Sequence, residues 1–251
     1  SATSSGNDNS FNSIQARRFA ADGTPLGAEF QVNAYTTYFQ NAPDVAVDDA
    51  GEFIVVWRSR GSFGNDQDGD SVQGRRFSAI GVPLGAEFQV NNDTTGYQTR
   101  PRIAASPAGD FWVVYQTDTA VAPDPDWSIQ ARFYDSTGTL SGASFTLNTF
   151  TSGIQSNPEV AADDAGNFLA VWESPDSPGT DTDLSIQGYL LNSLGEPLGD
   201  DFQVNTHTTG NQFWPAVAGY DNLGFVVSWE SGSTGGTDTN SSIQARQLVG
   251  P

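Results

Sequence analysis

The sequence predicts an all-β fold, a β-propeller-like array of four four-stranded antiparallel repeats with a surplus strand at the N-terminus. Three observations predict it. A strand-like segment, Ser13-Ile14-Gln15-Ala16-Arg17, returns as Ser71-Val72-Gln73-Gly74-Arg75, Ser128-Ile129-Gln130-Ala131-Arg132, Ser185-Ile186-Gln187-Gly188 and Ser242-Ile243-Gln244-Ala245-Arg246, at intervals of 58, 57, 57 and 57 residues. Every other landmark of the repeat occurs four times. No stretch sustains a 3.6-residue apolar period, and glycine and proline punctuate short apolar runs throughout. A unit this short cannot bury its own apolar face, so its copies must stack on one another.

The elements of the unit follow in order. Its first strand opens on proline: Pro43-Asp44-Val45-Ala46-Val47, Pro101-Arg102-Ile103-Ala104, Pro158-Glu159-Val160-Ala161 and Pro215-Ala216-Val217-Ala218. A missing N–H is tolerated at the head of a strand, where pairing begins. Asp48-Asp49-Ala50-Gly51 and Asp163-Asp164-Ala165-Gly166 then read as tight turns, with glycine where a positive φ is needed. The second strand is apolar on both faces, as in Phe53-Ile54-Val55-Val56-Trp57, Phe111-Trp112-Val113-Val114-Tyr115, Phe168-Leu169-Ala170-Val171-Trp172 and Phe225-Val226-Val227-Ser228-Trp229. Such a strand is covered on both sides. A polar loop of about ten residues leads to the SIQAR-type third strand, in which Ile14 and Ala16 alternate with Gln15 and Arg17. A hairpin such as Gly23-Thr24-Pro25-Leu26-Gly27 connects it to the fourth strand, Phe30-Gln31-Val32-Asn33 and its copies ending at Asn91, Asn148 and Asn205. Four antiparallel strands per unit describe propeller blades. The chain divides into residues 1–28, holding the surplus strand, and residues 29–251, holding four repeats.

These repeats resemble the tandem repeats (VAADxxGNFVVVW…SIQARRF…PLGxEFQVN) of large secreted bacterial adhesins and calcium-binding-toxin-like proteins. The resemblance runs from about Asn12 to Arg246. It implies a secreted, extracellular module of structural or interaction type and brings no catalytic residues with it.

Composition narrows the partners. The 30 acidic residues face only ten arginines and no lysine, so the net charge of −20 repels nucleic acid and anionic membranes. No apolar run approaches the roughly 18 residues of a membrane span. Cysteine is absent, which excludes disulfides and thiolate metal sites. The chain has no methionine and opens on a polar stretch at Ser1, as expected of a mature product or a fragment.

Candidate chemistry is sparse. The one histidine, His207, lies in a Thr-rich loop without a nucleophile and an orienting acid beside it. The loops before the SIQAR strands hold Asp66, Asp68, Asp124, Asp126, Asp181, Asp183 and Asp238. Alternate acids in an extended loop can share a hard cation, which makes calcium the candidate cofactor. Each loop supplies two side-chain donors against the six to eight oxygens calcium takes, so a solvated acidic loop is the competing reading. Gln40, Gln98, Gln155 and Gln212, each three residues before the strand-opening proline and mostly near aromatics, are candidates for glycan pockets or for satisfying backbone groups between blades. Asn92 and Asn240 begin N-x-Thr/Ser sequons.

Strand counting sets the functional expectation. A fifth SIQAR strand without a matching unit predicts that Ser13, Ile14, Gln15, Ala16, Arg17, Arg18 and Phe19 pair with a neighbouring copy of the chain. Strand donation that does not close gives a filament. The expectation is a non-catalytic, self-associating extracellular protein, with a glycan- or calcium-binding adhesin module as the alternative and surface glycans as its partners.

Overall fold

The computed structural model describes residues 11–62, 64–119, 126–175, 183–221, 224–232 and 240–249, and within them the chain is all β. β1 (Gln15–Ala16) and β2 (Phe30–Gln31) form a two-stranded sheet. β3 (Gln40–Val47), β4 (Phe53–Arg60), β5 (Asp70–Phe77) and β6 (Phe88–Gln89) form the next, in sequence order. β7 (Gln98–Ala105), β8 (Phe111–Thr117), β9 (Ser128–Tyr134) and β10 (Leu140–Thr146) form a third, and β11 (Ser156–Ala162), β12 (Phe168–Ser174), β13 (Ser185–Leu191) and β14 (Phe202–Gln203) a fourth. β15 (Gln212–Tyr220), β16 (Gly224–Ser231) and β17 (Ser242–Val249) close the series as a three-stranded sheet. All pairings between strands within these sheets are antiparallel, the propeller-blade arrangement. Three blades are therefore four-stranded, where four complete ones are expected from the repeat count.

The strands that carry the repeated prolines, β3, β7, β11 and β15, begin two or three residues before the proline expected to open them; they are the innermost, and each packs against the next. The second strands form the core. Trp57, Val56, Trp112, Val114, Phe168, Trp172 and Val227 are fully or almost fully buried, and clusters from facing blades interlock at every boundary. The turn between first and second strand works through its first residue. The Gly51 N–H donates to the Asp48 carbonyl at 3.0 Å, with Gly51 at φ 78°, and the Glu52 N–H donates to Asp48 Oδ1 at 2.9 Å.

The asparagine ending each fourth strand ties that strand to the third. The N–H groups of Ile14, Val72, Ile129 and Ile186 donate to Oδ1 of Asn33, Asn91, Asn148 and Asn205 at 2.7–2.8 Å. The Nδ2 group of each then donates to the carbonyl two residues on, at Tyr35, Asp93, Phe150 and His207. The fourth strands β2, β6 and β14, with two ladder residues each, and the longer β10 are thus clamped by a side chain that copies a backbone pair.

Two expectations about the ends change. The SIQAR-type strand β1, expected to pair with a neighbouring copy, pairs within its own chain, Gln15 with Gln31 and Ala16 with Phe30. Arg17 Nε reaches the Gly27 carbonyl at 3.1 Å and Arg18 the Ala79 carbonyl at 2.6 Å, so both arginines are engaged inside the chain. β2 belongs to the same sheet as β1, so the sheet spans the residue 28/29 boundary read from the sequence. Among the described residues, no strand of the last sheet pairs with the first. Among the described residues no helix is long and apolar enough to cross a membrane.

Candidate functional site

Each innermost strand carries the same irregularity. Its pairing with the second strand slips between Asn41 and Asp44, Thr99 and Arg102, Ser156 and Glu159, and Phe213 and Ala216. The two residues inside each bulge are the proline and the residue before it. That preceding residue is left-handed in all four copies: Ala42 at φ 49°, Arg100 at 52°, Asn157 at 52° and Trp214 at 51°. A non-glycine residue there costs about 1–3 kcal/mol, and residues before proline ordinarily stay extended. A bulge re-aims the side chain that follows it. Here the following residues are Asp44, Arg102, Glu159 and Ala216.

Those side chains meet across blade boundaries. The Ile103 N–H donates to Asp44 Oδ2 at 2.9 Å, and Arg102 Nε donates to Glu159 Oε1 at 2.7 Å. Both partners of the ion pair remain about a third exposed, at 32% each, so water and ligands reach them. Burial pushes the Glu159 carboxyl above the usual carboxylate range. The Arg102 hydrogen bond and charge oppose that shift, and the negative Asp44 adds to it. A carboxylate, a guanidinium and a second carboxylate thus occupy one repeat position on three consecutive inner strands. The fourth copy of the position holds alanine, so the site is asymmetric where the backbone repeats.

The bulged end beside this row is rich in exposed polar and aromatic groups. Arg100 donates to Asn157 Oδ1 across the boundary between second and third complete blades. The Trp214 indole is 62% exposed while its backbone is fixed: the Trp214 N–H donates to Glu173 Oε1 at 2.7 Å. Glu173 is itself buried and takes a second bond from Ser156 Oγ at 3.1 Å. Tyr38, Phe39 and Tyr97, which begin the equivalent segments, are also exposed. An anchored backbone with an exposed aromatic face suits stacking on a flat apolar ligand face.

The residues singled out from the sequence lie elsewhere. Gln40, Gln98, Gln155 and Gln212 are buried, and their Nε2 groups donate to loop carbonyls at Thr37, Thr95, Ser152 and Gly210. In the last blade Gln212 Oε1 accepts the Trp229 indole N–H at 2.9 Å. These amides fasten the interblade loops and present nothing to a ligand. Asp66 is buried and accepts from Asn91 Nδ2 at 2.7 Å and the Asp68 N–H at 3.2 Å; burial raises its pKa. Asp68 and Asp183 accept the N–H groups of Gly96 and Gly210. Asp126 is exposed, and Asp124, Asp181 and Asp238 lie outside the described residues. Among the described residues no group of three or more His, Cys, Asp or Glu side chains could hold a metal ion. The row Asp44, Arg102, Glu159 escaped the sequence reading, although its signal was visible: the position after the proline is the one place in the first strand where charge sign changes between copies.

No family model matches the chain, and no curated protein matches it. Solved structures do. A sialidase described as Hadza microbial aligns with a TM-score of 0.56 at 12% identity, over 82% of this chain and 44% of its own length. A protein of unknown function from Dyadobacter fermentans aligns with a TM-score of 0.52 at 15% identity, over 79% of this chain and 50% of its own. An endo-arabinase from Bacteroides thetaiotaomicron aligns at 0.46 and 17% identity, over 80% of this chain and 72% of its own. The chain thus spans about half the length of the first two. At these identities the likeness is one of fold. The expectation of a non-catalytic filament protein built by strand donation is therefore not kept: a sialidase is among the structures that share the fold, and the strand assigned to donation pairs within its own chain.

Proposed function

We propose that the chain is a carbohydrate-active propeller, binding a glycan at the bulged end of its inner strands and hydrolysing it between Asp44 and Glu159. The observation that carries the reading is the Asp44–Arg102–Glu159 row: three different charged residues at one repeated position, with Glu159 raised by burial. Glycoside hydrolysis uses two carboxyl groups in different protonation states on either side of the scissile bond. Glu159, whose carboxyl burial holds protonated above the ordinary glutamate range, gives its proton to the glycosidic oxygen as the C–O bond breaks. Asp44 takes a proton from the water whose oxygen forms the new bond to the anomeric carbon. Arg102 fixes the Glu159 carboxyl between the two blades. The exposed faces of Trp214, Phe39 and Tyr97 supply stacking surface for sugar rings. The sialidase and the endo-arabinase with which the chain shares its fold agree with such a use.

The test is turnover on a panel of polysaccharides, measured as new reducing ends. Glu159→Gln and Asp44→Asn should each lower kcat by about 10²–10⁴-fold, the usual contribution of a positioned proton-transfer group. Circular dichroism should be unchanged, because both side chains are partly exposed. Full activity in both variants would remove the two residues from the chemistry. Glycan binding without turnover in the parent chain would leave a lectin in place of a hydrolase.

A further inference from the structure

Of the four left-handed residues that precede the repeated prolines, one projects a large ring into solvent. Ala42 carries only a methyl group, and Arg100 and Asn157 bond to each other across a blade boundary. Trp214 is 62% exposed. Its backbone is held by a carboxylate: the Trp214 N–H donates to Glu173 Oε1 at 2.7 Å, while Ser156 Oγ donates to Glu173 Oε2 at 3.1 Å. The matching place on the second strand is Arg58 in the first complete blade, which has no acceptor atom. In the second it is Gln116, whose Oε1 is buried without a partner among the described residues. Glu173 is 4% exposed, and taking a carboxylate out of water is costly. What that burial secures is a fixed place for the indole.

Beside the indole the inner strand is cut back. Ala216 stands at the repeat position of Asp44, Arg102 and Glu159, and it is exposed. β15 packs beside β11, so Glu159 meets Arg102 on the β7 side, while on the β15 side its repeat position offers only a methyl group. Arg102 Nε takes Glu159 Oε1 at 2.7 Å, and Oε2 makes no hydrogen bond among the described residues.

We propose that Trp214 and Ala216 form one sugar subsite next to Glu159, built for a pyranose ring whose hydroxyls are all equatorial, as in β-linked xylan and glucan. The proposal rests on the reading of Asp44 and Glu159 as the hydrolytic pair. In such a ring the axial C–H bonds make a flat apolar face that an indole covers; a puckered furanose offers no comparable face. The ring lies on Trp214 over the Ala216 methyl group, with its glycosidic oxygen within reach of Glu159 Oε2. Glu173 is a positioning residue, acting through the Trp214 backbone.

Trp57, Trp112 and Trp172 are fully or almost fully buried and Trp229 is 6% exposed, so acrylamide quenching of tryptophan emission reads Trp214 most strongly. Xylohexaose and cellohexaose should protect that emission, and arabinohexaose should not. Isothermal titration with xylohexaose should show binding weakened about tenfold or more by Ala216→Phe, which fills the place of the ring, and by Trp214→Ala. Both residues are exposed, so the fold should hold, as circular dichroism checks. Glu173→Leu should weaken binding as well, and Glu173→Gln, which keeps an oxygen for the Trp214 N–H, should restore most of it. No protection by either pyranose oligomer, equal protection by arabinohexaose, or unchanged affinity in A216F would overturn the subsite. Unchanged affinity in E173L would overturn the role of Glu173. Turnover is read separately: binding without turnover removes the hydrolase and leaves the subsite, and turnover without protection of Trp214 does the reverse.

Discussion

Side chains in this protein do two kinds of work that their sequence context distinguishes only in part. Asn148 is buried and serves two backbone groups, the Ile129 N–H at 2.8 Å and the Phe150 carbonyl at 2.9 Å. Asn148→Ala leaves both without that partner and should cost about 1–3 kcal/mol in urea denaturation. Glu159 does the second kind of work. Because burial raises its pKa, the acid form persists above the ordinary glutamate range, and kcat should fall as pH rises through the raised value. The same alkaline limb should be missing from the residual activity of E159Q. Asp66 accepts a backbone N–H of its own loop, and Asp68 and Asp183 accept those of Gly96 and Gly210 in the loops after the fourth strands, so melting temperature should be the same in chelator and in millimolar calcium. A calcium-dependent rise would return those loops to metal binding.

At the scale of the strand, much was legible in the sequence, for a local reason. The apolar run Phe168–Trp172, the turn before it and the alternation in Ser128–Arg132 each report their own conformation within about ten residues. Asp44, Arg102 and Glu159 lie 57–58 residues apart, and only the stacking of blades brings them together. Their position after a proline gave a hint of edge placement, while the left-handed bulge that aims them has no glycine to announce it. The surplus strand was countable, and the hairpin joining it to Phe30–Asn33 was legible too, yet that local pairing was not weighed when the strand was assigned to another molecule. Across a blade boundary, Glu87 Oε2 accepts the Ala34 and Tyr35 N–H groups at 2.7 and 3.2 Å, and burial raises its pKa. The folded state therefore binds more protons than the unfolded chain between the ordinary glutamate value and the raised one. Stability should fall as pH rises through that window, and Glu87→Gln should flatten the slope in denaturation curves taken at several pH values. Asp66 and Glu159 shift in the same direction, so part of the slope should survive.

On the scale of the whole molecule, the blades are joined in series, each packed on its neighbours and, among the described residues, with no strand pairing from last to first. Trp172 lies fully buried at one internal boundary, and Trp172→Ala should cost about 3–5 kcal/mol. In a linear stack such a loss is felt by the two blades that share the boundary before the others. Hydrogen exchange should then show amides of β8–β9 and β12–β13 opening ahead of those in β4–β5.

The open series has a mechanical meaning as well. A ring held shut by a strand from each end must break that latch before anything else yields. This chain has no such latch among its described residues, and tension applied to its ends runs through the blades one after another. Each repeat of 57 residues that gives way releases chain of about 200 Å at full extension. Pulled in an optical trap, the protein should lengthen in a staircase of similar steps, absorbing load a blade at a time while the rest of the stack keeps its shape.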